Sequence, residues 1–130
     1  SSDLIQRVLT PGGKLICSTY GKKHMQEVSR LVRDFDDRIV LSADKLYERF
    51  GRENGADILA PYFSRIFWES YKDSLLVPDA EPLISYILSC HGNQNQYLLD
   101  KYKDFRGFVS RKTKDGFFIT KDAGIFLCEK

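Results

Sequence analysis

The tripeptide Pro11-Gly12-Gly13 constrains this chain more than any other feature. Ahead of it, Leu4, Ile5, Val8 and Leu9 recur at helical spacing, so residues 3–10 read as a helix or its last turns. Behind it, Lys14 to Tyr20 reads as a short strand whose buried part is Leu15-Ile16-Cys17. Proline cannot continue a helix, and glycine accepts the positive φ that a reversal needs. A helix handed to a strand through so short a turn belongs to a fold in which helices lie on a sheet. The chain therefore reads as α/β. It opens on an almost finished helix, from which residues 1–130 are expected to be a single piece of a larger domain.

Periodicity and punctuation place the other elements. Met25, Val28, Leu31, Val32 and Phe35 form an apolar stripe, which predicts a helix over Lys23–Phe35 with Gln26, Glu27, Arg30 and Arg33 on its wet face. Residues 42–63 predict two short helices, one over Ala43–Tyr47 and one capped by Asn54 and running to Tyr62. Arg65–Val77 predicts one long bent strand or two short ones, interrupted near Lys72-Asp73 and ended by Pro78. Asp79 suits the N-cap of a helix over Ala80–Cys90, with His91 in its last turn and Gly92 just beyond. Leu98, Tyr102, Phe105 and Val109 predict one more amphipathic helix. Phe117–Lys121 and Ile125–Glu129 read as two strand segments joined by Asp122-Ala123-Gly124. Ile66, Trp68, Phe117, Ile119 and Phe126 are expected to share one sheet-centred core.

Composition narrows the class. Hydrophobic residues make up 42% of the chain, and nine Phe, seven Tyr and one Trp argue against disorder. A net charge of +2 exerts no global pull toward nucleic acid or an anionic membrane. No apolar run approaches the ~18 residues of a membrane-spanning helix, and Ser1-Ser2-Asp3 has none of the character of a signal peptide. A soluble, cytoplasmic chain is expected. Cys17, Cys90 and Cys128 lie far apart with no CxxC pair, so neither a zinc site nor a disulfide framework is suggested. Each is expected to be a buried free thiol.

The string Arg7-Val8-Leu9-Thr10-Pro11-Gly12-Gly13-Lys14-Leu15 resembles a segment of class I S-adenosylmethionine-dependent methyltransferases. There it joins the helix after the fourth strand to the fifth strand. Tyr71-Lys72-Asp73-Ser74-Leu75, followed by Pro78-Asp79-Ala80-Glu81 and Leu83, is similar to the stretch before the late helix of the type 11 branch. Phe118-Ile119-Thr120-Lys121 with Gly124-Ile125-Phe126 is similar to that branch's final antiparallel strand. The resemblance covers essentially the whole chain.

It implies the C-terminal half of a Rossmann-like methyltransferase sheet of order 3-2-1-4-5-7-6. Lys14–Tyr20 would be strand 5, part of Arg65–Val77 strand 6, and Phe117–Glu129 an antiparallel strand 7 between them. The cofactor-binding N-terminal half would lie outside these residues. The full-length protein would then transfer a methyl group from S-adenosylmethionine to a small-molecule acceptor. The present chain, inactive alone, would supply the distal half of the sheet and one wall of the substrate crevice. Of its glycine-dense stretches, Pro11-Gly12-Gly13 leads into a strand and residues 51–55 lack a preceding strand, so neither is a cofactor loop. No cofactor-binding or catalytic residue is assigned.

Ser18, Thr19, Tyr20 and His24 follow the fifth strand of that scheme, at the end that faces a ligand crevice. Thr19, Tyr20 and His24 are the substrate-facing candidates, with Tyr20 or His24 orienting a substrate or accepting its proton. The competing reading is a solvent-facing loop before the next helix. His91 beside Cys90 does not form a nucleophile–base pair, since neighbouring helical positions point about 100° apart. Lys101–Lys114 carries six basic residues and one acid, Asp104, with Tyr102, Phe105 and Phe108 interleaved. A non-catalytic module that binds single-stranded nucleic acid there is the rival reading, although Tyr102 and Phe105 fall on the apolar stripe. Without a fourth strand, Lys14–Tyr20 is an open sheet edge, which predicts a homodimer.

Overall fold

The computed structural model describes residues 2–130. The chain is mixed α/β, with elements α1 (Ser2–Val8), β1 (Lys14–Tyr20), α2 (Gln26–Phe35), a 3-10 helix (Ser42–Glu48), α3 (Gly55–Leu59), β2 (Arg65–Val77), α4 (Ala80–Ser89), α5 (Gln94–Leu98), a 3-10 turn (Leu99–Lys101), α6 (Tyr102–Thr113) and β3 (Phe117–Glu129). The sheet has the order β1-β3-β2. Strands β1 and β3 run antiparallel, with Lys14 opposite Glu129 and Tyr20 opposite Ala123. Strands β2 and β3 are antiparallel as well. The Ser64 N–H donates to the Glu129 carbonyl, whereas farther along β2 the Glu69 carbonyl abuts Gly124. The last strand thus lies between the other two, as expected.

The chain forms two compact units. The first comprises Ser1–His24, Leu46–Lys72 and Asp122–Lys130. Leu59, Phe63, Phe126 and Cys128 are buried in it, and Leu9, Leu15, Cys17, Phe50, Ile66 and Trp68 pack against them. Burial alternates along β1, with Leu15, Cys17 and Thr19 turned inward and Lys14, Ile16 and Ser18 outward. Phe126 anchors this core, its ring centroid 4.7 Å from that of Trp68 and 5.7 Å from that of Phe50. Gly55 lies so close to the Phe126 ring that no side chain fits there.

The second unit comprises Met25–Lys45 and Asp73–Lys121. Its core joins Val28, Leu31 and Val32 of α2 to Ile39 and Leu41, to Leu83, Ile84 and Ile87 of α4, and to Leu98, Phe105, Val109 and Ile119. The 38–41 segment is pinned by Asn93, which accepts the Val40 N–H at 2.7 Å and donates to the Arg38 carbonyl at 2.9 Å. Arg38 also stacks 4.3 Å from the Tyr97 ring centroid. The buried Gln94 amide donates to the Ile87 and Cys90 carbonyls at the end of α4. Those two acceptors fix its orientation and leave its buried Oε1 without a partner among the described residues.

Several expectations are corrected. The one core is two clusters, with Phe117 and Ile119 in the second and Ile66, Trp68 and Phe126 in the first. Helix α2 starts at Gln26 rather than Lys23, because Met25 adopts φ 52 and donates its N–H to the Thr120 carbonyl at 2.7 Å. Strand β3 is unbroken. Gly21 donates its N–H to the Asp122 carbonyl, and Gly124 lies against the Trp68 ring, so this glycine serves close approach rather than a turn. Strand β2 is likewise continuous. Helix α4 ends at Ser89 and leaves His91 beyond its last turn. Asp79 and Asn54 hold N-cap positions without a side-chain cap bond. Asn54 instead accepts the Gly51 N–H and donates to the Glu48 carbonyl.

Candidate functional site

The residues after β1 are gathered by three stretches of the first unit. Thr19, facing inward, donates its hydroxyl to the Phe50 carbonyl at 2.8 Å. The Tyr20 carbonyl accepts the Arg52 N–H at 3.2 Å, which draws the 51–55 segment against the strand end. The chain then turns at Gly21 and brings His24 back, so that its ring stacks on Tyr20 at 5.0 Å with planes 29° apart. Two of the three substrate-facing candidates, Tyr20 and His24, thus touch one another. Thr19 is adjacent in sequence but tied to the backbone of Phe50.

Three residues that the sequence did not single out complete the cluster. Asp122 donates its backbone N–H to His24 Nδ1 at 3.1 Å, and its carboxylate pairs with Arg52 Nη1 at 2.8 Å. Glu53 Oε1 accepts the Lys22 N–H at 3.0 Å. Both carboxylates crowd Gly21, where a Cβ would collide with Asp122 Oδ2 and stand 2.7 Å from Glu53 Oε1. Gly21 is buried. A side chain there would push both acids away from the strand end.

The His24 contact restricts its chemistry. A ring nitrogen that accepts a backbone N–H carries no proton, so the neutral imidazole holds its proton on Nε2. In this tautomer His24 offers a hydrogen-bond donor, not a base. The cluster can orient an acceptor oxygen through Nε2–H against the flat face of Tyr20. Taking a proton would first require His24 to release Asp122.

The other sequence features take structural roles. Burial pushes the Cys17 and Cys128 thiols up, the second also under the influence of Cys17, which disfavours the nucleophilic thiolate. Cys128 is buried as expected, but Cys17 and Cys90 are only partly so. Cys90 follows the last turn of α4, and its Sγ–H donates to the Tyr86 carbonyl at 3.3 Å. In the basic stretch, Phe105 is fully buried, and Tyr102 and Phe108 pack on the second core, so these rings form no stacking platform. Lys103 and Arg111 line an open groove of about 480 Å³ together with Asp34 and Asp104, acids that oppose a phosphate backbone.

Among the described residues, no cluster of His, Cys, Asp or Glu could hold a metal ion, and no helix is long and apolar enough to cross a membrane. The glycines of the 51–55 segment do not form a cofactor cradle. Gly51 packs on Tyr47 and Gly55 on Phe126, so neither leaves backbone open to a ligand. Neither glycine therefore offers a backbone cradle for S-adenosylmethionine. No family model matches the chain, and neither does any curated protein.

Proposed function

We propose that this chain is the distal half of a methyltransferase domain that transfers a methyl group from S-adenosylmethionine to a small-molecule acceptor. The observation that carries the reading is the strand order β1-β3-β2, with the last strand antiparallel between two earlier ones. That order fits strands 5, 7 and 6 of the class I sheet, the scheme its sequence segments resemble. In this proposal the cofactor is held by residues outside 1–130, in a reducing cytoplasm. Thr19, Tyr20 and His24 stand at the strand end where such a sheet opens its crevice. His24 Nε2–H and the Tyr20 face then position the acceptor, and positioning does most of the work of methyl transfer.

Calorimetric titration with S-adenosylmethionine tests the proposal in two proteins. Residues 1–130 alone are expected to show no binding, and the chain extended upstream through four further strands is expected to bind stoichiometrically. Micromolar binding by residues 1–130, or none by the extended protein, would overturn it.

A further inference from the structure

Where the chain leaves β1, one rung of the ladder is built from a side chain. A bonded pair in an antiparallel ladder exchanges both its N–H and its carbonyl groups. Gly21 and Asp122 continue the register in which Tyr20 stands opposite Ala123, and Gly21 gives its N–H to the Asp122 carbonyl at 2.8 Å. The return bond is diverted. The Gly21 carbonyl accepts the His24 N–H at 3.1 Å in the turn, and the Asp122 N–H goes to His24 Nδ1, also at 3.1 Å. An imidazole thus stands where a ladder carbonyl would. A carbonyl accepts at every pH, whereas an imidazole nitrogen accepts only while it carries no proton. Imidazole changes its charge between roughly pH 5 and 8.

The surroundings offer a protonated ring other partners. The Asp122 carboxylate and Glu53 both crowd Gly21, three residues before His24. An Nδ1–H would repel the Asp122 N–H and turn toward these acids. Arg52, paired with Asp122 Oδ1 at 2.8 Å, competes for one of them, and Lys22 and Lys23 add positive charge in the turn. Tyr20 meets the ring with its face, 5.0 Å between centroids. The second unit holds a comparison. There Thr120 likewise gives its N–H to a side chain, the Glu27 carboxylate, at 2.8 Å, and Lys121 pairs with Asp73 at 3.8 Å. Glu27 is held below its ordinary value of 4.5, so that rung stays an acceptor throughout the range in which imidazole titrates.

We infer that His24 is a proton-operated latch, in which the neutral ring holds the end of the β1–β3 ladder and protonation of Nδ1 releases Asp122. The proton comes from solvent onto the Nδ1 lone pair, and the Asp122 N–H loses its acceptor. The imidazolium then donates to the carboxylates beside Gly21, so each charge state of the ring has its own partners. The latch is closed above the pH at which His24 titrates and opens as the pH falls through it. Because the bond fixes the ring stacked on Tyr20, acid would also take apart the acceptor site proposed above. The latch itself rests on the ladder alone, and its test uses no cofactor, so the two readings fail separately.

Proton–nitrogen correlation spectra of residues 1–130, taken from roughly pH 8 to 5, test the latch. The Asp122 amide signal should move in step with the His24 ring signals, with one shared midpoint. The Thr120 amide should hold still until the pH falls below 4.5. His24→Asn keeps an acceptor oxygen at the reach of Nδ1 but takes no proton, so its Asp122 amide should stay bonded and flat with pH. His24→Ala should let that amide exchange with solvent roughly threefold to tenfold faster at neutral pH, the worth of one net hydrogen bond. An Asp122 amide that stays flat while His24 titrates would overturn the inference. So would one that titrates equally in His24→Asn, or a His24 ring still neutral at about pH 5.

Discussion

The two units of this chain differ in what their surfaces leave open. The second buries a dozen aliphatic and aromatic side chains drawn from α2, the 39–41 segment, α4, α5, α6 and β3. Among the described residues, the first buries four apolar side chains, those of Leu59, Phe63, Phe126 and Cys128, and exposes Leu4, Val8, Ile16 and Phe67. Yet the first unit holds the Tyr20–His24 stack and the crowded carboxylates. The well-packed region carries stability, and the poorly packed one carries the features that could meet a ligand or a partner. Apolar surface left in water is a common mark of an interaction site.

Truncating the anchor of each core is the harshest way to break that comparison. Phe126→Ala and Phe105→Ala should each cost about 3–5 kcal/mol, since both rings are fully buried. Trp68, the single tryptophan, reports the first unit by fluorescence, whereas circular dichroism reports chiefly the helices of the second. Phe126→Ala should shift the fluorescence transition more, and Phe105→Ala the dichroism transition more. Equal shifts in both probes for either variant would mean that the two cores unfold as one.

A smaller loss is expected for Gly55→Ala. The new methyl must displace the Phe126 ring, and overpacking of this kind costs roughly 1–3 kcal/mol. A neutral or stabilising result, read from the denaturant midpoint, would show that the ring can move aside.

Titration should separate the units by sign. In the second unit, burial pushes the Glu27 carboxyl up, but its hydrogen bonds from Thr120 and the nearby Arg30 outweigh this and hold it below its ordinary value of 4.5. Asp36 is held at about 2 by the Arg38 guanidinium and N–H. Depressed carboxyls favour the folded state above their ordinary values, and that contribution is lost as the pH falls through the depressed ones. Raised thiols work the other way. Cys17 and Cys128 favour the first unit below their ordinary value of 9.0, and that contribution is lost as the pH rises above it. The dichroism transition should therefore weaken toward pH 2, and the fluorescence transition above pH 9. Glu27→Gln should remove roughly 0.5–1.5 kcal/mol at pH 7 and flatten the acid limb.

The smallest effect is expected from Arg52→Ala. Its pairing with Asp122 is half exposed on the arginine side, so stability should change by less than about 1 kcal/mol. A larger loss, in thermal unfolding, would mean that this pair holds the strand end together.

Much of this was legible where the signal was local. The Pro11-Gly12-Gly13 stop and the apolar run after it place β1 over Lys14–Tyr20, the bounds observed. The stripe from Val28 to Phe35 places the buried face of α2. What escaped depended on distant partners. Nothing near Met25 announces that Thr120 will take its N–H and delay the helix. Asp122-Ala123-Gly124 has the composition of a turn, and only the approach of Trp68 and Glu69 explains its glycine inside a strand. Tyr20 and His24 were visible as neighbours of a strand end. Arg52, Glu53 and Asp122 were not, because the 51–55 stretch reads locally as a glycine-dense segment with no strand before it. Their available signal was a run of charges between two glycines, which no periodicity links to residues 30 or 100 positions away.

Met25 deserves a different measure. It is the chain's single methionine, and among the described residues the sole non-glycine with a positive φ. A left-handed backbone costs such a side chain roughly 1–2 kcal/mol. Drift under selection for the backbone alone would exchange it for glycine or asparagine. That a thioether stands there, packed on the second core and receiving the Tyr86 hydroxyl at 3.7 Å, sets a lower bound on the worth of its contacts. Oxidation to the sulfoxide would put a polar group in that packing, so the fold carries one address at which chemical ageing can be read.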